Sequence, residues 1–340
     1  MRSLTRLWIG LCAVAAVLTA FSNDASRAQE KSADELVALL KSKLMTERDV
    51  DAAPRFNVIT CDQSGPRLTI YKGGADWNDP DSVVWNWEPS DSLPAAEAKR
   101  FSAIDECKPA LNDSAVLTNA SAGAVALIRL SDKKVLFYGF AGGNTHSVAL
   151  LPDGNVVSAS STGRFLALFA TPEGEREADA EATPIYKTFE LDQAHGVVWD
   201  AKRKTLWALG YGALVGYEYV GTKSEPDLRE IFRLPLEGKY RSGHDLYPAS
   251  GYDALVTTDG TGINVFDPEK RALTRVADYR NIKSVSVSPD GETLVLQPTE
   301  EWWSESVLYG DSSERAAGTK NGARFYKARW FVPNRFSEPE

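Results

Sequence analysis

Beyond about residue 55 the chain alternates short apolar runs, rich in Val, Ile, Leu and aromatic residues, with turns of Gly, Asp, Asn and Pro. No helical period of any length interrupts them, which predicts an all-β domain. Aligned against itself, the chain shows six copies of one unit: an apolar strand, small polar residues at a turn, and a second apolar strand. The copies begin at Asn57, Ala115, Asn155, Thr205, Ala254 and Thr293. A further strand precedes five of them, opening at Phe101, His146, His195, His244 and Lys283, and a fourth follows each copy: VVWNWEP, KVLFYGF, IYKTFEL, REIFRLP, LTRVADY and ARFYKARW. Four strands per unit, at a period of about 40 to 50 residues, predict a six-bladed β-propeller over 55–334 with a tail at 335–340. A seven-bladed ring, with a degenerate blade between Ser90 and Ala110, is the rival. The first blade lacks its innermost strand. The segment around Trp330 to Pro333 is expected to supply it, tying the C-terminus to the first blade and removing exposed sheet edges.

Ahead of the propeller, SADELVALLKSKLM (Ser32 to Met45) predicts one short helix within a 29–54 leader, with Ser32 and Glu35 at capping-box spacing and leucines along one side. Residues 1–28 have the layout of a secretory signal peptide: Arg2 and Arg6, an apolar run from Leu7 to Phe21, and a polar end at Ser26-Arg27-Ala28. The run is short of the ~20 residues a spanning helix needs. An exported protein, periplasmic or secreted, is expected, with no membrane span after cleavage. Cleavage removes Arg2, Arg6, Arg27 and Asp24 and takes the net charge from −9 to −11. So acidic a surface repels polyanions and makes nucleic acid a poor partner. Cys61 and Cys107 are too few for a disulfide framework, and the strand reading puts them near opposite ends of their strands, against a bridge between them.

The chain's three histidines, His146, His195 and His244, are spaced 49 residues apart both times, each opening an inner strand. Three residues at random would share one phase of a 45-residue repeat roughly once in two thousand trials, so the placement is not accidental. Two readings stand. A histidine entering the first strand can staple a blade through hydrogen bonds, as in WD40-like repeats with a Gly-His signature, which Gly243-His244 resembles, although the Trp-Asp partner dipeptide is missing. Alternatively, three rim imidazoles point into the channel and hold a divalent Zn, Mn or Fe ion with one position open for chemistry.

The same alignment places Asp62, Gln63, Ser160, Ser161, Tyr211, Asp259 and the run Glu300-Glu301-Trp302-Trp303 on that face. Adjacent tryptophans beside carboxylates suit a sugar ring or another small polar ligand; capping the end of the sixth blade is the bland alternative. Lys283 replaces histidine in the sixth blade, where it either holds an anionic group of a ligand or neutralises Glu300 or Glu301. Asp245, next to His244, is a candidate partner of an imidazole. No Walker loop, GxGxxG, HExxH, GxSxG or CxxC occurs, which weakens phosphate, nicotinamide, serine-hydrolase and thiol chemistry.

The strings HSVALLPDGNVVSASSTG, AHGVVWDAKRKTLWALGY, GHDLYPASGYDALVTTDG and GARFYKARWFVPN resemble an uncharacterised family of secreted bacterial propeller proteins, a domain of unknown function, over roughly Phe56 to Pro333. More weakly, the HGVVWD strand is similar to NHL-type six-bladed propellers. That likeness implies a channel metal held by histidines opening inner strands, here His146, His195 and His244, although these come from successive blades where a symmetric site favours alternate ones. Histidine-bound manganese in oligogalacturonate lyases is an analogy of fold and ligand type alone. Two functions remain open: a metal-dependent lyase or hydrolase acting on a small polar or carbohydrate-derived substrate, or a non-catalytic propeller binding a small molecule, saccharide or protein on the same face. A monomer is expected.

Overall fold

The computed structural model describes residues 30–44, 55–177, 180–310 and 315–338. The expected signal segment and its cleavage point lie outside them. Six four-stranded antiparallel sheets form a six-bladed propeller. Blades 2 to 6 each run outward in chain order from inner strands Ile104–Ala110, Thr145–Leu150, Gly196–Asp200, Gly243–Pro248 and Ser284–Val287. Among the described residues no helix is long and apolar enough to cross a membrane.

Blade 1 is closed by the chain's last strand, Phe325–Trp330, which pairs antiparallel with Val58–Asp62. The C-terminus thus ties the ring as expected, but with a segment that ends at Trp330 instead of beginning there. ARFYKARW is therefore an inner strand of blade 1, and the outer strand of blade 6 is Ala316–Thr319. The physical reason lies in Lys327 and Arg329. They give the strand the polar alternation of a half-solvated outer strand, yet both are completely buried.

In blade 2 the inner strand starts at Ile104, not Phe101. Phe101 ends a short helical turn and fills the space between Trp87 and Tyr138, at ring-centroid distances of 5.4 and 6.0 Å. Residues 89–101 form short helical turns, so no seventh blade exists there.

The leader helix Ala33–Lys43 carries the expected capping box of Ser32 and Glu35. Its Leu36 and Leu40 pack, with Leu44, against Tyr252, Val276 and Ile282 of blades 5 and 6. Cys61 and Cys107 are both buried free thiols. They are not at remote strand ends: burial pushes the Cys61 thiol up and the Cys107 thiol beside it adds to the effect, so the two sulfurs are neighbours between blades 1 and 2.

The centre of the ring is filled by charge. Arg329 spends all its donors there, with Nη1 and Nη2 on the two oxygens of Asp245 at 2.7 Å, Nε and Nη2 on Glu106 at 3.0 to 3.2 Å, and Nη1 on the Val285 carbonyl at 3.1 Å. The Lys327 ammonium reaches Glu106 and Asp245, both at 3.2 Å, and the His146 carbonyl at 2.9 Å. That of Lys108 donates to Ser147 Oγ and to the carbonyls of Val148 and Val197 at 2.8 to 3.0 Å. Every inner strand contributes a group to this cluster, which closes the middle of the channel.

Below it, the tail crosses the far mouth: Ser337 Oγ donates to the Trp199 carbonyl, and the Glu338 carboxylate accepts the Leu111 and Asn112 N–H groups. Those amides converge because Leu111, Asn112 and Asp113 all adopt left-handed backbone, with φ of 52°, 51° and 65°.

Removing one partner of a buried ionic cluster strands the others. Arg329→Met is expected to cost about 3 to 5 kcal/mol in urea denaturation, against less than about 0.5 kcal/mol for a change at exposed Trp302. The same cation carries a pH signature. Burial alone pushes the Glu106 carboxyl up, but Arg329, Lys327 and Lys108 outweigh it and hold the group below its ordinary value. A depressed folded pKa adds stability that is complete above the ordinary carboxylate range, about 4.3, and is lost as pH falls through the folded value. Arg329→Met should therefore shift the acid-unfolding midpoint upward by about one pH unit, as read by circular dichroism.

Candidate functional site

The rim of the channel is made by one residue from each inner strand: Tyr326, Asp105, His146, His195, His244 and Lys283, in order around the ring from blade 1 to blade 6. In four strands a β-bulge supplies it. The pairing register slips at Asp105, at His146 and at His244, and in blade 1 between Thr60 and Asp62 opposite Tyr326. A bulge leaves one residue out of the ladder and re-aims its side chain, here toward the axis. His195 and Lys283 enter just ahead of their strands, each pinned by its backbone N–H, to the Leu209 and Leu296 carbonyls respectively.

The three imidazoles do come together. His146 and His195 stack face to face, with centroids 4.6 Å apart and planes 6° from parallel; His244 lies 4.9 Å from His195 and 6.4 Å from His146. The Tyr326 hydroxyl sits between the outer two, 3.3 Å from His146 Nδ1 and 3.4 Å from His244 Nε2. Tyr326, His146 and His244 come from blades 1, 3 and 5, so the trio of alternate blades that a symmetric centre favours includes a phenol in place of a third histidine.

His195 Nδ1 lies 2.8 Å from the Gln193 carbonyl, which can only accept, so the proton is on Nδ1 and the lone pair on Nε2. His244 Nε2 is 3.2 Å from Lys283 Nζ, whose ammonium can only donate, and its buried Nδ1 has no partner among the described residues. Among the described residues no three His, Cys, Asp or Glu side chains are grouped as a metal site, and the stacked rings of His146 and His195 hold their nitrogens in parallel planes.

All three rings are held neutral. For His146 and His244, burial and then the neighbouring His195 hold the imidazole well below its ordinary value, with Lys283 and Lys327 adding to it. Burial takes His195 down to about 4, the Gln193 carbonyl partly opposing and Lys327 and Lys283 assisting. Desolvation also lowers Lys283, and the like charge of Lys327 adds to it. Asp105 moves the other way: burial pushes its carboxyl up to about 8, despite hydrogen bonds from Ser121 Oγ (2.6 Å) and Gln63 Nε2 (2.7 Å), so at neutral pH it is mostly an uncharged acid facing His146.

Gln63 links this ring to the tryptophan loop, since its Oε1 accepts the Trp302 indole N–H at 2.9 Å. Trp302 is 45% exposed, and Trp303 is half-buried with Arg324 5.2 Å from its ring. Glu300 and Glu301 are exposed on the same turn. Neither pairs with Lys283, whose contacts are His244 and, 5.7 Å away, the Tyr326 ring.

Other candidates lie elsewhere. Asp245 bonds Arg329, Lys327 and the Val285 N–H beneath the rim, not an imidazole. The Asp62 carboxylate is buried and accepts the Ser64 and Arg324 N–H groups, and Asp259 is buried under Arg275 and Asn264. Tyr211 is half-buried, with Arg241 4.6 Å from its ring. Gln63, which the turn alignment placed on this face, does reach the site, whereas Tyr326 and Asp105 are the groups the sequence pattern missed. Aligning the last strand as an inner one would have put Tyr326 in the histidine phase.

No curated protein matches the chain in sequence. Among solved structures, the hydrazine synthase of Kuenenia stuttgartiensis is similar at 11% identity, with 64% of each chain covered and a TM-score of 0.41. The structure of U3-55K is similar at 13% identity, with 63% of each chain covered and a TM-score of 0.42. The chain thus spans less than two thirds of either. A family model matches residues 47–340, the whole propeller with all six rim positions, and the chain belongs to that family, DUF6528, a family of unknown function.

Proposed function

We propose that this propeller is an exported enzyme of lyase or hydrolase type, working at the histidine rim on a small polar or carbohydrate-derived substrate. The observation that carries the reading is the Tyr326 hydroxyl set between two neutral imidazoles, His146 and His244, with Lys283 against the second. Such a group supplies both halves of acid–base chemistry. Burial, with Asp105, Asp245 and Glu106 nearby, raises the phenol well above its ordinary value, so Tyr326 keeps its proton and acts as the donor. An uncharged imidazole beside it is the acceptor. Lys283 lies where a developing negative charge on a substrate oxygen would be stabilised. Trp302, anchored through Gln63 to Asp105, offers a ring face for a sugar at the entrance.

Three neutral imidazoles are also the donor type a divalent Zn, Mn or Fe ion selects, and His195 Nε2 has its lone pair free. Bound there, an ion would polarise a substrate oxygen or activate water. Convergence of the three on one ion requires the His146–His195 stack to open, so the metal is the second reading.

A panel of glycans and sugar esters, followed by ultraviolet absorbance of a new double bond and by release of reducing ends, tests the first reading. Tyr326→Phe is expected to lower kcat by about 10²- to 10⁴-fold while KM stays within a few-fold. Equal losses in KM and none in kcat would remove Tyr326 from the chemistry. Elemental analysis after dialysis tests the second: wild type should retain close to one equivalent of metal and His195→Ala markedly less. Equal content near zero in both would leave the acid–base group alone.

A further inference from the structure

Lys283 is mostly buried, yet among the described residues no carboxylate lies within 4.0 Å of its ammonium. The Coulomb partner that raises it, Asp105, is mostly uncharged at neutral pH. Beneath it the charges nearly cancel: Lys327 and Arg329 are balanced by Glu106 and Asp245, which leaves Lys108 and Lys283 in surplus. Lys108 is sealed below the rim by Ser147 and two backbone carbonyls, so of the two only Lys283 meets the mouth. An uncompensated ammonium in a low-dielectric mouth is costly unless an anion visits it. His244, whose Nε2 meets Lys283, has a buried Nδ1 that is a second polar group without a partner among the described residues.

We propose that the rim receives the carboxylate of a small organic acid, with Lys283 as its counter-ion and the Tyr326 hydroxyl as a neutral donor beside it. The inference deepens the reading of the rim as the working site and rests on it. Lys283 is the one cation among the six rim side chains, which suits a ligand with a single negative charge. The chain's own net charge of −9, with Glu300 and Glu301 exposed on the loop at the entrance, turns away polyanions. Because the ion cluster fills the middle of the channel and the tail crosses its far mouth, the ligand enters and leaves by this end alone.

Glucuronate and glucose are a matched pair that differ in the carboxylate, and isothermal titration of the intact chain with each reads the proposal. Glucuronate is expected to bind at least about tenfold tighter than glucose. Lys283→Met should weaken glucuronate about 10- to 100-fold, with glucose unchanged and the melting temperature kept, and Lys283→Arg should restore most of the preference. Equal affinity for the two sugars, or Lys283→Met without effect, overturns the carboxylate assignment while the acid–base reading stands on Tyr326→Phe. Tighter binding of sulfate or phosphate than of glucuronate overturns it in favour of an inorganic anion. No saturable binding of glucuronate, gluconate or acetate overturns it as well.

Discussion

Everything in this molecule depends on how Arg329 is housed. A guanidinium fully removed from water is tolerable only if each donor finds an oxygen, and here they find Glu106 of blade 2, Asp245 of blade 5 and the Val285 carbonyl of blade 6. Tyr247 lies against its face, 4.1 Å from the guanidinium carbon. Apolar packing between blades is tolerant of small rotations, whereas these bonds are directional. The cluster thus fixes where the inner strands stand relative to one another, and the rim side chains one or two residues away inherit that precision.

The rim shows how one acidic chain makes a local surplus of positive charge without surface cations. Burial is applied to groups of both signs and has opposite results. Asp105 loses its charge and the imidazoles never gain theirs, so the mouth keeps many hydrogen-bonding groups and few ions. A site of this kind discriminates by how its neutral donors and acceptors are placed around the one Lys283 ammonium.

Much of the fold was legible because a propeller repeats its pattern six times and errors in one copy are corrected by the others. What misled the reading was local and had physical causes. Lys327 and Arg329 disguised the last strand, since a buried ion pair and a solvated outer face look alike as a run of letters. Phe101 mimicked an inner-strand start in blade 2 because a large apolar residue before a strand can equally fill the space beside a helical turn. The histidine cluster and Lys283 were legible from phase, and Gln63 from its turn, but the other two members were not. Tyr326 belongs to the disguised strand and Asp105 to the misplaced one.

The strand that closes blade 1 runs from Phe325 to Trp330, near the end of the chain, while its partner begins at Val58. That strand also carries the phenol at the rim and both of the fully buried cations below it. During synthesis the five other inner strands are therefore made well before the groups that neutralise Glu106 and Asp245. Until residues 325–330 arrive, the ring is open, Asp245 lacks both its cations and Glu106 keeps only Lys108, and the imidazoles face a gap. Competence of the site thus waits on the synthesis of Phe325–Trp330: a chain cut short before residue 325 loses closure, core charge balance and the central hydroxyl in one step, and no chain without this strand holds a finished rim.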